Sequence, residues 1–437
     1  MKFNIKNIAR TAGLFSLAAL SLTACEDEPD KYEIASGTPE VIYVCMPTNK
    51  DSVITSAFTN NRVVLIGNNL RSVTKLAFND QEAVLNSSLI TDHALFVTIP
   101  RSLPDNPTDK IYMTNKDGVV TEYPFTVDIA APLLSSMNCE YVKPGEVATI
   151  NGDYFLTYDS DPMVISMPDG QKVTEFESIS QTSVSFVVPE GCTESGAISV
   201  TTKYGTTKST KFQFNDVRGM LFNFDEGLTQ QGWHSRDITT DETALDGNFV
   251  QLGNGSATMT EAGGWDDSNF SFEYWAGNWS GIAPYDMAVT DQGVPLDKLV
   301  DFSDYQNMAV KFELYIPKTS PWSAGAMQVI FAGIDRVQLS AANNTFFQTT
   351  ADGGYGLGRG IYRPWEESGS FDTGDEWITV TLPISEFTYN FDGTAQTAAL
   401  KADDFASLTI FVVGGGVNGT DCTPIMKIDN IRAVSYK

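Results

Sequence analysis

Arg62 to Leu70 reads RVVLIGNNL, and Glu146 to Phe155 reads EVATINGDYF. Each is an alternating apolar run that ends in a glycine followed by Asn or Asp, the pattern of a β-strand broken by a tight turn. The likeness continues outward. A second short strand follows each, KLAFND from Lys75 and MVISMPDG from Met163. Beyond it comes an alternating strand stopped by a proline, ALFVTIP at Pro100 and VSFVVP at Pro189. Gly67 and Gly152 lie 85 residues apart and the two prolines 89 apart, so the repeat is real. From Ile34 to about Asp216 the chain therefore reads as tandem all-β sandwiches.

These repeats resemble IPT/TIG domains, immunoglobulin-like modules marked by an xIxGxNF-type strand and turn, here LIGNNL and INGDYF. The resemblance covers 38–128 and 129–216 and implies spacers. Neither repeat holds a tryptophan, a histidine cluster or a conspicuous loop insertion from which to build a site, and His93 reads as a surface or strand-end residue. Some domains of this kind bind DNA. No basic stripe supports that here, and the formal charge of −27 over 437 residues repels nucleic acid and anionic polysaccharide alike. A neutral partner fits that field.

Residues 1–24 read as an address. Lys2, Lys6 and Arg10 form a basic region, Leu14 to Leu22 an apolar one, and LTAC closes it at Cys25. The segment resembles a lipoprotein signal with its lipobox. That implies lipidation of Cys25, an acidic tether at 25–37, and a membrane association through acyl chains alone. Glu26, Asp27, Glu28 and Asp30 resemble the export signal of Bacteroidota lipoproteins displayed on the outer face of the outer membrane; a solvated tether would use the same residues. The four later cysteines, Cys45, Cys139, Cys192 and Cys422, show no zinc-binding spacing. Cys139 and Cys192 share a repeat and are candidates to pair, against the plainer reading of free thiols.

After Phe214 the texture changes. All seven tryptophans fall between Trp233 and Trp377, and LFNFDEG near the start of this region is matched by PIMKIDNIRAV near its end, as first and last strands of one sandwich would be. With little helical periodicity over 217–437, the class is a jelly-roll-like β-sandwich. Within NFSFEYWAGNWSG, a strand over Asn269–Trp275 would turn Phe270, Phe272 and Tyr274 to the core and Trp275 away from it. Gly277, Asn278 and Gly281 would leave Trp279 in a loop. Trp322, beside Pro321, reads as a loop residue, and Trp365, followed by Glu366 and Glu367, as exposed. Trp377 reads as the seal of a sandwich edge, with Trp233 and Trp265 placed in the core by default. Four exposed indoles would suit a sugar, whose C–H face stacks on a ring while its hydroxyls bond to polar groups at the rim.

The segments SPWSAGAMQVIF, IYRPWEESGSFDTG, WITVTLPISEF and FASLTIFVVGGGVNGT resemble the C-terminal domain of surface glycan-binding proteins from Bacteroidota polysaccharide-utilisation loci. That resemblance implies a non-catalytic lipoprotein capturing a neutral β-glucan (xyloglucan, mixed-linkage or β-1,3-glucan) and associating with an outer-membrane glycan importer. It carries a glycan platform over to Trp279, Trp322 and Trp365, with Trp275, Tyr362 and Arg363 in support, and it calls for no cofactor and no catalytic metal. A structural calcium near Asp429 stays open. The rival class is a jelly-roll glycoside hydrolase. Its ExDxxE pattern occurs only at Glu28, Asp30 and Glu33, in the tether, and Glu366 with Glu367 would point apart on a strand. No GxSxG elbow accompanies His93 or His234. A purely structural adhesin would leave the exposed indoles without a purpose.

Overall fold

The computed structural model describes residues 33–437 apart from 231, 233–235, 277–292, 334–357 and 396–399. The chain is all-β and forms two compact units, one ending at Ile129 and the other running from Ala130 to Lys437. In the first, one four-stranded sheet has the order Asn49–Ile54, Glu40–Met46, Arg62–Asn68, Ala94–Thr98. The other has the order Gln81–Glu82, Val73–Phe78, Lys110–Asn115, Val120–Pro124. The second unit opens on the same design, with Leu133–Met137, Val147–Asp153, Ser183–Val187 and Ser178–Ile179 in one sheet. Lys172–Val173, Val164–Ser166, Ser199–Thr202 and Gly205–Lys208 make the other.

The repeated glycine has a steric cause. A Cβ on Gly67 would lie 1.8 Å from the Glu40 carbonyl oxygen, and one on Gly152 would lie 1.8 Å from that of Leu133. In both places the neighbouring strand carries a bulge, between Val41 and Tyr43 and between Leu134 and Ser136, which pushes a carbonyl into the space a side chain would need. Two residues beyond each glycine the backbone is left-handed, at Asn69 (φ 57°) and Tyr154 (φ 60°). Asparagine tolerates that conformation; tyrosine adopts it under strain. Cys139 and Cys192 are both free and buried, so no disulfide joins them.

The rest of the second unit is a larger sandwich. Its strands are β1 (Met220–Phe222), β2 (Phe249–Leu252), β3 (Ser271–Tyr274), β4 (Met308–Tyr315), β5 (Ala326–Ala332), β6 (Gly360–Tyr362), β7 (Ile378–Pro383), β8 (Ser407–Val413) and β9 (Met426–Ser435). One sheet runs Ile238–Thr239, β2, β9, β4, β7, with β1 also on β9; the other runs β3, β8, β5, β6. The opening and closing segments do pair, Phe222 with Ile431 and Met220 with Arg432. Between the sheets Phe222 meets Phe272 at 5.2 Å and Tyr274 at 5.1 Å. The strand expected over Asn269–Trp275 is shorter: Asp266 accepts from the Asn269 N–H at 3.1 Å and caps a helical turn, Asp267–Phe270, before β3 begins. No helix among the described residues is long and apolar enough to cross a membrane.

Alternation on β4 sends Val310, Phe312 and Leu314 inward and Lys311 and Glu313 outward, where the immunoglobulin-like sandwich of the same unit covers them. Lys311, Glu313, Arg432 and Glu140 are all at most 1 % exposed. Arg432 bonds to Glu313 at 2.7 and 3.0 Å and to Glu140 at 3.0 Å; Lys311 pairs with the other Glu140 oxygen. The Thr379 hydroxyl donates to Glu313 and accepts from the Glu140 N–H, each at 2.8 Å. Burial would strip the charge from Arg432, but Glu313 and Glu140 outweigh it and hold the guanidinium more firmly cationic than usual. Leu245 and Trp377 of the larger sandwich pack onto the core of the smaller one, and the Trp377 indole N–H donates to the Thr243 carbonyl at 2.6 Å.

Candidate glycan-binding face

The second sheet has an outer face too. Register places Ser271 and Glu273 of β3 beside Phe411 and Thr409 of β8, and these beside Gln328 and Ile330 of β5. Every inward residue of these strands is apolar or aromatic, whereas this face mixes Ser271, Glu273, Gln328, Ser407 and Thr409, each at most 3 % exposed, with apolar neighbours. Its groups bond to one another. Ser271 Oγ donates to Glu273 at 3.0 Å, the Trp275 indole N–H to Thr409 Oγ1 at 3.1 Å, and the Ala276 N–H to Ser407 Oγ at 2.8 Å. Arg359, preceding β6, donates to Gln328 Oε1 at 2.9 Å, and Gln328 donates to the carbonyls of Phe391 and Val413 at 2.9 Å each. Burial lowers the Arg359 pKa to about 10, with Asp392 resisting, so the guanidinium stays charged near neutrality.

Among the described residues, two large rings near this sheet are open, Trp265 and Tyr389, whose backbone bridges to Arg359. Trp265 is 41 % exposed and stands edge-on to Phe411, ring centroids 4.6 Å apart, with Phe391 at 6.1 Å. Sequence reasoning placed it in the core by default. The signal it missed is local: Gly263 and Gly264 precede Trp265 and Asp266 and Asp267 follow, a turn whose next two residues start a helix.

The expected exposure of Trp275, Trp322 and Trp365 needs correction. Trp275 does lie opposite Phe272 and Tyr274 in parity, yet it is only 8 % exposed and its N–H is engaged by Thr409. Trp322 is fully buried: its N–H bonds to the Ala324 carbonyl at 2.6 Å, its backbone bridges to Phe371, and its ring lies 6.1 Å from Tyr362. The flanking proline signals a bend, and the bend folds the ring inward. Trp365 is 3 % exposed, with its N–H on the Gly325 carbonyl at 2.8 Å. The two glutamates after it argued for exposure on the assumption of an extended chain. A helical turn, Trp365–Ser368, lets the indole enter the core while Glu366 and Glu367 face solvent. Tyr362 is part-buried, its phenol pushed up to about 12 by desolvation. Arg363 is held by Glu366 at 2.8 Å and by the Gly415 carbonyl at 2.5 Å. Trp279, Trp233 and Cys25 lie outside the described residues.

Residues 214–435, about half of the chain, match the family model for the surface glycan-binding protein B xyloglucan binding domain. The solved structure of the surface glycan-binding protein PbSGBP-B from Prevotella bryantii is 42 % identical over 92 % of this chain and 100 % of that one, with a TM-score of 0.83. The chain belongs to the surface glycan-binding protein B family. An IPT/TIG domain-containing protein of Bacteroides ovatus is 26 % identical over 226 residues, 48 % of this chain and 45 % of that protein, so the chain spans about half of that relative's length. The family is one of cell-surface proteins that bind glycans and do not cleave them. The open tryptophan and the sheet beside it fall inside the matched domain.

Proposed function

We propose that the protein captures a neutral β-glucan, xyloglucan or a mixed-linkage glucan first and β-1,3-glucan next, at Trp265 beside the β3–β8–β5–β6 sheet. The observation that carries this reading is Trp265, an exposed indole braced against the buried Phe411. A pyranose C–H face stacks on such a ring, while Glu273, Thr409, Gln328 and Arg359, each at most 3 % exposed, brace the sheet beneath it. Trp279 remains a proposed stacking residue. Trp275, Trp322 and Trp365 act instead as the packed support of the sheet, with Tyr362 and Arg363 at its margin. In this reading 38–128 and 129–216 are immunoglobulin-like domains that hold 217–437 away from a membrane to which Cys25 is lipid-anchored, on the outer face of the outer membrane. An outer-membrane glycan importer receives the captured chain.

Affinity electrophoresis of the full chain in gels cast with xyloglucan, mixed-linkage glucan, β-1,3-glucan or a polyanionic polysaccharide tests it. Retardation by one or more neutral glucans, without release of reducing ends on prolonged incubation, is the expected result. Retardation only by the polyanion would sink the reading.

A further inference from the structure

The first sheet has a gap in its hydrogen bonding. Strand β9 pairs with β2 through Met426, Lys427 and Ile428 and with β1 through Ile431 and Arg432, on the same edge. Asp429 and Asn430 fall between the two partners. Across β9, Glu313 faces Asp429 and Lys311 faces Arg432, so β9 carries an extra residue here, and Asn430 takes a left-handed φ of 49°. Asp429 is 1 % exposed. Its Oδ1 accepts from the Asn430 N–H at 2.7 Å, but its Oδ2 is buried with no hydrogen-bond partner, and so is Asn430 Nδ2.

Two turns converge on that gap, the one leaving β1 through Asn223, Phe224 and Asp225 and the one entering β2 through Asp246, Gly247 and Asn248. They are pinned together: Asp225 Oδ1 accepts from the Asn248 N–H at 2.7 Å and from its side-chain amide at 2.8 Å. A Cβ on Gly247 would lie 2.1 Å from that same oxygen, which explains the glycine, whose φ is 68°. The acidic groups around Asp429 are Glu313 across the strand and Asp225 and Asp246 on the two turns. Arg432, three residues on, is committed to Glu140 and Glu313. An oxygen buried without a hydrogen-bond partner among acidic neighbours is a natural seat for a cation.

We propose that the Asp225, Asp246 and Asp429 junction of β1, β2 and β9 is a calcium site that locks the first and last strands of the sandwich together. Among the described residues no three acidic, cysteine or histidine side chains form a group that could hold a metal ion, so the three carboxylates have to draw together on binding. Asp429 supplies the buried ligand, and Asp225 and Asp246, exposed at the rim, close over the ion. Asparagine amides and backbone carbonyls complete a shell of about six to eight oxygens. The Asn430 amide, turned over, presents its oxygen in place of the unpartnered Nδ2. Calcium accepts such an irregular, all-oxygen shell; magnesium demands a near-ideal octahedron and does not.

The full chain, stripped with EDTA, is melted with and without calcium chloride or magnesium chloride, and calcium is titrated calorimetrically. Calcium should bind at one site per chain and raise the melting temperature by about 4 °C or more, with magnesium ineffective. Asp429→Asn, close in shape to the protonated acid, should fold without calcium and lose the response. Asp225→Asn, on the exposed rim, keeps the test decisive if the buried variant does not fold. No calcium-dependent shift in the parent chain, or a full response in both variants, overturns the proposal.

Discussion

The larger sandwich has two outer faces, and they are built from opposite chemistry. On the β9–β4–β7 side the exposed parity carries Lys311, Glu313, Thr379 and Arg432, and these charges are buried against Glu140 of the adjoining immunoglobulin-like sandwich. On the β3–β8–β5 side the same parity carries Trp275, Thr409, Phe411 and Gln328, with Trp265 open beside them. A buried charge is tolerable only against a fixed counter-charge, so the first face suits a partner always present in the same chain. On the second face Trp275, Thr409, Phe411 and Gln328 are buried as well, and Trp265 is the group named there that meets solvent, so it is the one placed for a ligand that comes and goes.

The largest effect should come from taking the fixed partner away. A fragment starting at 217 leaves Lys311, Arg432 and Glu313 without Glu140, and it should fail to give a cooperative melt, whereas 130–437 should melt as one transition. A single Glu140→Ala replacement should cost about 3–5 kcal/mol, read by denaturant unfolding of the same fragment. If the 217–437 fragment melts as sharply as the longer one, the charge cluster is not what joins the sandwiches.

Trp322→Ala sharpens the division between support and platform. Its ring is fully buried, so the replacement should cost about 3–5 kcal/mol of stability. Glycan affinity should change only to the extent that the protein unfolds. Trp265→Ala should do the reverse. Aromatic stacking platforms lose about 1–3 kcal/mol per ring, and 1.4 kcal/mol is tenfold in affinity. Calorimetry with the preferred glucan should therefore show binding weakened roughly tenfold and the melting temperature unchanged. Normal binding by the Trp265 variant would remove that ring from the platform. Smallest of all, Thr379→Val removes one hydroxyl bridging Glu313 and the Glu140 backbone and should cost about 1–3 kcal/mol, toward the low end if water reaches the freed groups.

The sequence by itself determined the classes. The recurrence of the glycine-bearing strand marked two immunoglobulin-like repeats, because a bulged neighbour at each site excludes any Cβ. Alternation put Phe272 and Tyr274 inside and Trp275 on the opposite face, and the end segments paired as first and last strands. Those are local rules, period two in a strand and excluded volume at a turn. Which indoles meet solvent is not local. Trp322 and Trp365 sit among prolines, glycines and acids, yet each finds a backbone carbonyl just before β5 for its N–H and a core for its ring. Trp265 has comparable neighbours and stays open. The partners that decide burial come from strands tens to hundreds of residues away, as Glu140 and Arg432 do for each other. Only the tertiary structure brings them together, since the free energy of burying an indole or a charge depends on what surrounds it in space.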